Sequence, residues 1–242
     1  MDFDDELKVT IHCFYVREEP ILYDKFLGLM YEVFVAEQSW KIPCDHGEKR
    51  VLPNEADLDC FIVLAINEKN KAVSAIKGTT PGCRFSAISL FEEFLSADVI
   101  KKHKKTINYL NAVLVSSSYR KREFYLNGSK QTLASHVAKK AISFSKRIGV
   151  DLILGATAVF EGAMLIKSNN FRLLSPPSIG HSQYNNTIIM ALNVNRNKEI
   201  DDYLESRERA VLKSENYRDY VLERLPKISN MDISKINSKR IN

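Results

Sequence analysis

Sixty residues in the middle of the chain decide the fold. They open with AVLVSSSYRKR (residues 112–122), continue with GSKQTLASHVAKKAISFSKRIGVDLILGATAV (128–159) and close with AMLIKSNNF (163–171). The first part ends an apolar, β-branched run that predicts a strand over residues 107–116. Apolar residues at helical spacing predict a helix over residues 130–148, namely Leu133, Val137, Ala141, Phe144 and Ile148. A strand over residues 151–158 follows this helix.

Toward the N-terminus the pattern predicts a strand, a helix and then two strands. Their ranges are 8–16, 21–37, 59–66 and 72–79, and Pro20 stands at the start of the helix. The polar residues NEKNK (67–71) between the last two strands favour an antiparallel hairpin. Residues 39–55 are irregular and include the only tryptophan. A connection of this length is often functional.

Toward the C-terminus we expect further helices, a last strand and a charged extension. The helices are predicted over 90–100, 161–168 and 199–224, and the strand over 187–194. A basic cluster, KKHKK (101–105), follows the first of these helices. Strands and helices mixed in this way indicate an α+β class. We expect a domain over residues 1–194, a helical extension over 195–227 that packs on the domain or joins two subunits into a homodimer, and a polar tail over 228–242.

Composition limits the function classes. The 242 residues carry a net charge of +5, and 45% are hydrophobic. The basic clusters lack interleaved aromatic residues, which argues against nucleic-acid binding. The longest apolar run, residues 61–66, is too short to span a membrane. The acidic start MDFDDELK is unlike a secretory signal, so we expect a cytoplasmic protein with reduced cysteines, no metal, and surface positions for His46 and His181.

This order of elements resembles that of the GNAT acyltransferase superfamily. The resemblance covers residues 8–194, and its most specific part is the central strand ending in V-x-x-x-Y-R (115–120), followed by a glycine-containing loop and a long helix. The sequence departs from the family pattern at three positions. Lys130 replaces the second small residue of the loop, Tyr125 replaces a Gln or Arg, and Ile166 stands where a tyrosine often serves as general acid.

A narrower resemblance involves the first half of the chain. EVFVAEQSWKIP (32–43) and NEADLDCFIVLA (54–65) are similar to segments of the acyl-homoserine-lactone synthases and the N-acyl amino acid synthases. FSAISLFEEFL (85–95) resembles a helix inserted before the central strand in that branch. Several signature positions carry other residues here: Met30, Lys77, Tyr109 and Ala112.

The resemblance implies an N-acyltransferase of the GNAT type, similar to autoinducer synthases. Such an enzyme transfers an acyl group from acyl-CoA, or from an acyl carrier protein, to a primary amine by direct attack. The donor is then a substrate, and no other cofactor is required. The alternative is a catalytically inactive GNAT-like protein that binds acyl-CoA.

The donor site is expected around the end of the central strand. Backbone N–H groups at a helix start can bind phosphate oxygens, and arginines can balance their charge. The candidates are Gly128, Ser129, Thr132, Arg120 and Arg122. The resemblance also implies a main-chain donor near Leu114 or Val115, which would bind the oxyanion of the reacting thioester.

The acceptor amine must lose a proton, so a carboxylate or a bound water should lie nearby. The candidate carboxylates are Glu55, Asp57 and Asp59. Tyr109 or Asn111 on the central strand could position a water. Phe34 and Trp40 are candidates for the wall of an acyl pocket.

Overall fold

The computed structural model describes residues 8–82, 91, 94–120, 122–126, 129–158, 166, 169–176 and 187–218. Eleven strands and four α-helices are defined within this part of the chain. The strands are β1 (Val9–Tyr15), β2 (Cys44–Asp45), β3 (Arg50–Val51), β4 (Cys60–Asn67), β5 (Ala72–Thr79), β6 (Ile107–Val115), β7 (Glu123–Leu126), β8 (Ser129–Thr132), β9 (Leu152–Ala158), β10 (Arg172–Leu173) and β11 (Thr187–Asn193). The helices are α1 (Pro20–Met30), α2 (Ala97–His103), α3 (Leu133–Arg147) and α4 (Lys198–Lys213).

Seven strands form one sheet in the order β1-β4-β5-β6-β9-β11-β10. All neighbouring pairs are antiparallel except β6 and β9, which run parallel. The crossover between these two strands carries α3, as a parallel connection requires. Two small hairpins, β2–β3 and β7–β8, lie outside this sheet. The chain therefore has the α+β class and the mixed, mostly antiparallel sheet that the sequence predicts.

Apolar side chains fill both faces of the sheet. On one face, α3 buries Leu133, Val137 and Ala141 against the central strands. On the other face, α1 covers the β1–β4–β5 half, whereas α2 and α4 cover β6, β9 and β11. The boundary between these two helix layers crosses the middle of the sheet, beside β5 and β6.

Several predicted elements are confirmed, including β1, the β4–β5 hairpin, β6, α3, β9 and β11. Three helix bounds are corrected. The predicted helix over 21–37 is α-helical only to Met30 and continues as a π-helix over Tyr31–Glu37. The helix predicted over 90–100 is α2, capped by the Ser96 hydroxyl. The helix predicted over 199–224 is interrupted at Ser214, after Lys198–Lys213, and residues 215–218 are helical again.

Other predictions fall partly or wholly outside the described residues. These are the inserted helix over 85–95, the short helix over 161–168, His181 and the tail over 228–242. None of the described helices is long and apolar enough to cross a membrane.

The described part of the C-terminal extension packs on the sheet. Ile200 and Leu204 of α4 are fully buried in the cluster that includes β9 and α2. An ion pair of 2.7 Å joins Arg172 on β10 to Glu208 on α4. Helix α4 therefore completes the hydrophobic cover of one sheet face. The division into separate units and the homodimer remain predictions.

Candidate active site

The sheet opens between its two parallel strands. Within the described part of the chain, β6 pairs with β9 only from Ile107 to Leu110. On its other edge, β6 stays paired with β5 as far as Val115. The last five residues of β6 therefore diverge from β9 and leave a wedge between two central strands.

A β-bulge lies in β6 where the wedge opens. Ala75 pairs with Leu114 and Lys77 pairs with Asn111, so two residue steps on β5 oppose three on β6. Such an extra residue increases the local twist and changes the direction of the following side chains. Leu110 and Val113 both contact the α3 side of the sheet, whereas Leu114 packs on the α1 side.

The main chain of β6 presents Val115 to the wedge. Ser116 donates its backbone N–H to the Val73 carbonyl, and the Leu114 carbonyl accepts a hydrogen bond from Ser74 Oγ, so both residues face β5. Peptide groups alternate in direction along a strand. The N–H and C=O of Val115 therefore point the other way. Of the two predicted main-chain donors, Leu114 is directed at β5 and Val115 at the wedge.

A small cavity occupies the wedge on the α3 side. Its volume is about 20 Å³, which is the space that one water molecule needs. The lining comes from β5, β6, α3, β9, Phe171 and β11, and it is almost entirely apolar: Ile76, Leu110, Val113, Ala138, Ile142, Gly155, Ala156, Thr157, Phe171 and Met190. An apolar group, rather than a charged one, fits this space.

A buried ion pair lies on the opposite face of the sheet. Lys77 Nζ is 2.6 Å from Asp57 Oδ1, and Tyr23 donates its hydroxyl to Asp57 Oδ2 at 3.0 Å. Asp57 is only 5% exposed. It sits in a 3₁₀ turn, Glu55–Asp59, whose start is capped by Asn54. Burial, followed by the negative charge of Asp57, raises the pKa of Tyr23, so the hydroxyl stays protonated and keeps donating.

Asn111 stands beside this ion pair with an unused acceptor. It is the register partner of Lys77, so the two side chains share a sheet face. Its Oδ1 is buried and has no hydrogen-bond partner among the described residues. A buried acceptor without a partner is uncommon and calls for an explanation. Here the acceptor lies at the residue where β6 begins to diverge from β9.

The remaining predicted acceptor-site residues are engaged elsewhere or exposed. Tyr109 packs its ring 5.1 Å from Phe91, and its backbone N–H bonds to Thr79 Oγ1. Asp59 pairs with the exposed Arg17 at 2.7 Å. Glu55 is exposed at the start of the 3₁₀ turn. Lys77 therefore links Asp57, its ion-pair partner, to Asn111, its register partner, whereas Asp59 pairs with Arg17 and Glu55 is exposed.

Strands β7 and β8 flank the residues predicted to form the phosphate-binding loop. Leu126 of β7 pairs with Ser129 of β8, which leaves Asn127 and Gly128 as the connecting residues, both outside the described part of the chain. Helix α3 begins at Leu133 rather than at residue 130, and the hydroxyl of its N-cap, Thr132, accepts a hydrogen bond from Ser135 N–H. Ser129 lies in strand β8. The prediction that Ser129 lies in a loop at the helix start is therefore wrong. The Asn-Gly pair is the usual two-residue hairpin signal and could have shown this.

The two predicted arginines make contacts of their own. Arg120 donates from Nε to the Val115 carbonyl at 2.8 Å and forms an ion pair with Glu37 at the end of the π-helix. Arg122 lies over the Phe124 ring, 5.4 Å from its centroid. Arg120 thus reaches the same residue, Val115, that faces the wedge.

The π-helix brings two further features to this end of β6. Phe34 stacks on Trp40 with ring centroids 4.4 Å apart. Glu32, which the sequence did not single out, accepts hydrogen bonds from Ser116 and from Lys71. Burial raises the pKa of Glu32, but these hydrogen bonds and the positive charges of Lys71 and Arg120 together lower the pKa overall. A π-helix is rare and is often found at functional sites.

In the described part of the chain, no group of three or more His, Cys, Asp or Glu side chains is arranged to hold a metal ion.

Comparison with known proteins identifies the fold. No protein-family model and no curated protein matches the chain. Among solved structures, a CoA-dependent acyl-homoserine lactone synthase, BjaI, has a TM-score of 0.57 and 15% identity over 83% of this chain and 89% of that one. TofI in a ternary complex with an inhibitor and MTA has a TM-score of 0.57 and 12% identity over 77% and 91%. The AHL synthase LasI has a TM-score of 0.53 and 12% identity over 77% and 89%. The chain therefore has the GNAT-like fold of these synthases.

Proposed function

We propose that the protein is an N-acyltransferase that transfers an acyl group from an acyl thioester to a primary amine by direct attack. The observation that supports this most strongly is the wedge between β6 and β9. It combines a main-chain donor, Val115, with an apolar cavity on one face and a polar cluster on the other. A thioester between these faces would meet an oxyanion donor, space for its acyl group and a route for the amine.

The donor would bind with its carbonyl oxygen at the Val115 N–H. A fixed N–H stabilises the negative charge that develops on this oxygen during attack. The acyl group would enter the cavity, whose small volume favours a short chain over a long one. A related fold is known to take such a donor, since BjaI has been solved with SAM and isopentyl-CoA.

The anionic end of the donor would lie near Arg120, Arg122 and the start of α3. Arg120 is bonded to Glu37 and to the Val115 carbonyl at the proposed mouth of the wedge. On donor binding, Arg120 would release these two partners and bind the donor phosphate instead. Either CoA or the phosphopantetheine of an acyl carrier protein presents phosphate to such arginines.

The acceptor amine would approach from the face that carries Lys77, Asp57 and Asn111. Asn111 Oδ1 would accept an N–H of the amine, or hold the water that removes its proton. Asp57 is already bonded to Lys77 and Tyr23, so its role would be to fix Lys77 beside Asn111. In the reaction, the amine nitrogen forms a bond to the acyl carbon, the carbon–sulfur bond breaks, and the thiol leaves with a proton.

Release of free thiol tests the proposal directly. The full chain is incubated with acyl-CoA donors from acetyl to octanoyl, and with acyl carrier protein loaded with the same groups. A panel of primary amines, including SAM and amino acids, serves as acceptors. We expect thiol release that depends on the amine, together with an N-acylated product by mass spectrometry. Donor binding without turnover across the whole panel would support the inactive alternative instead.

Substituting Gly155 tests where the acyl group lies. A Cβ at Gly155 would be 3.3 Å from Met190 Cε, the flexible end of a side chain, and would narrow the cavity. We expect Gly155→Ala to lower the free energy of unfolding by about 1 kcal/mol, the low end of the cost of adding a group to a packed core, because the Met190 side chain can move. The kcat/KM of Gly155→Ala should fall more steeply with the length of the acyl group than the kcat/KM of the wild type. An equal loss for acetyl and longer donors would contradict this placement of the acyl group.

A further inference from the structure

A second reactive group lies in the β2–β3 hairpin. Cys44 is the first residue of β2, and His46 is the first residue after this two-residue strand. Cys44 Sγ is 3.5 Å from His46 Nε2, and Tyr31 Oη is 3.1 Å from His46 Nδ1. The Tyr31 and His46 rings also meet edge to face, with centroids 5.8 Å apart. A thiol, an imidazole and a phenol therefore form one connected chain.

The order of these groups is that of an activated nucleophile. Such a site needs a nucleophile within hydrogen-bond reach of a base and a third group that orients the base. If Cys44 gives its proton to His46 Nε2, both imidazole nitrogens carry a hydrogen. Nε2–H then donates to the Cys44 thiolate, and Nδ1–H donates to the Tyr31 oxygen. The contact between Nδ1 and Tyr31 can stay in place during this transfer. The geometry thus allows the thiolate to form without rearrangement of its neighbours.

The position of the group makes it accessible. His46 is exposed and Cys44 is partly exposed. The other described cysteines differ. Cys60 is buried and donates to the Ala56 carbonyl, whereas burial raises the pKa of the half-buried Cys13. Reactive cysteines are typically partly exposed and lie beside a basic group.

We propose that Cys44 is a modification site that undergoes thiol–disulfide exchange with small-molecule disulfides, with His46 as its base and Tyr31 as the group that orients His46. The Cys44 thiolate attacks one sulfur of the disulfide, a new S–S bond forms, and the original S–S bond breaks. Cys44 is oxidised to the mixed disulfide and the released half is reduced to a thiolate, which takes the proton held by His46. The exchange is independent of the acyltransferase activity.

The test uses the full chain and 4,4′-dithiodipyridine as the disulfide, at pH 7. Trypsin places each of the four cysteines on a separate peptide, with Cys44 on residues 42–49, so mass spectrometry gives a rate for each. We expect Cys44 to react at least about tenfold faster than Cys13 and Cys60, and His46→Gln to slow Cys44 by about tenfold or more. Tyr31→Phe should slow it by a smaller factor.

The unchanged rates of Cys13 and Cys60 in each variant serve as an internal control for folding. If Cys44 reacts no faster than Cys13 in the wild type, the proposal is wrong. Equal Cys44 rates in the wild type and in His46→Gln would also overturn it, since His46 would then have no part in the reaction.

Discussion

Replacement of Lys77 by methionine should lower the free energy of unfolding by about 3 kcal/mol, the usual cost of removing one partner of a buried ion pair. Methionine keeps most of the apolar length of lysine but removes the ammonium group. Asp57, at 5% exposure, would then keep only the Tyr23 hydroxyl as a hydrogen-bonding partner among the side chains described above. Urea unfolding followed by circular dichroism measures the change through the transition midpoint.

Two further variants separate this effect from a general loss of charge. Lys8→Met removes an exposed ion pair to Glu68, with a distance of 3.4 Å, and should change stability by less than about 0.5 kcal/mol. Adding Asp57→Asn to Lys77→Met removes the unpaired carboxylate, so the double variant should be more stable than the sum of the single effects predicts. If Lys77→Met costs no more than Lys8→Met, the buried pair contributes little to stability.

Much of the fold could be predicted because its elements carry strong local patterns. The β4–β5 hairpin is two apolar runs around a polar turn, and α3 has apolar residues at regular helical spacing. The hairpin β7–β8 was missed for a physical reason. Its residues, such as Lys130 and Gln131, have little apolar alternation, and an Asn-Gly pair before a helical pattern also fits a phosphate-binding loop.

The site was less predictable because its geometry depends on contacts between distant parts of the chain. Asp57 and Asn111 were candidates, but what surrounds them depends on residues far away in the sequence. Lys77 on β5 pairs with Asp57 and lies opposite Asn111 on β6, and Tyr23 on α1 bonds to Asp57. Sequence patterns also do not show the extra residue in β6. That bulge results from the register against β5, and it determines which side of the sheet each following side chain faces.

Asn111, the first residue of β6 beyond its pairing with β9, gives the second prediction with a large effect. Asn111→Leu should lower kcat/KM for the amine by about 100-fold, because it removes the acceptor oxygen proposed to bind the amine or its water. The same change should raise the free energy of unfolding by about 1 kcal/mol, since a buried acceptor without a partner is replaced by an apolar group. Thiol-release kinetics and urea unfolding measure the two effects, and KM for the donor should stay the same.

A matched control is available on the same strand. Asn108 also has a buried Oδ1 without a partner in the described part of the chain, but its Nδ2 donates to Ser145 Oγ at 2.9 Å and it lies where β6 is still paired with β9. Asn108→Leu should therefore lower stability by about 1 kcal/mol through the lost hydrogen bond and leave kcat/KM unchanged. We expect Asn111→Leu to be more stable and less active than the wild type, and Asn108→Leu to be less stable and equally active. This pattern would show that Asn111 acts in the reaction and Asn108 in folding. Equal activities in both variants would show that the Asn111 oxygen plays no part in acceptor binding.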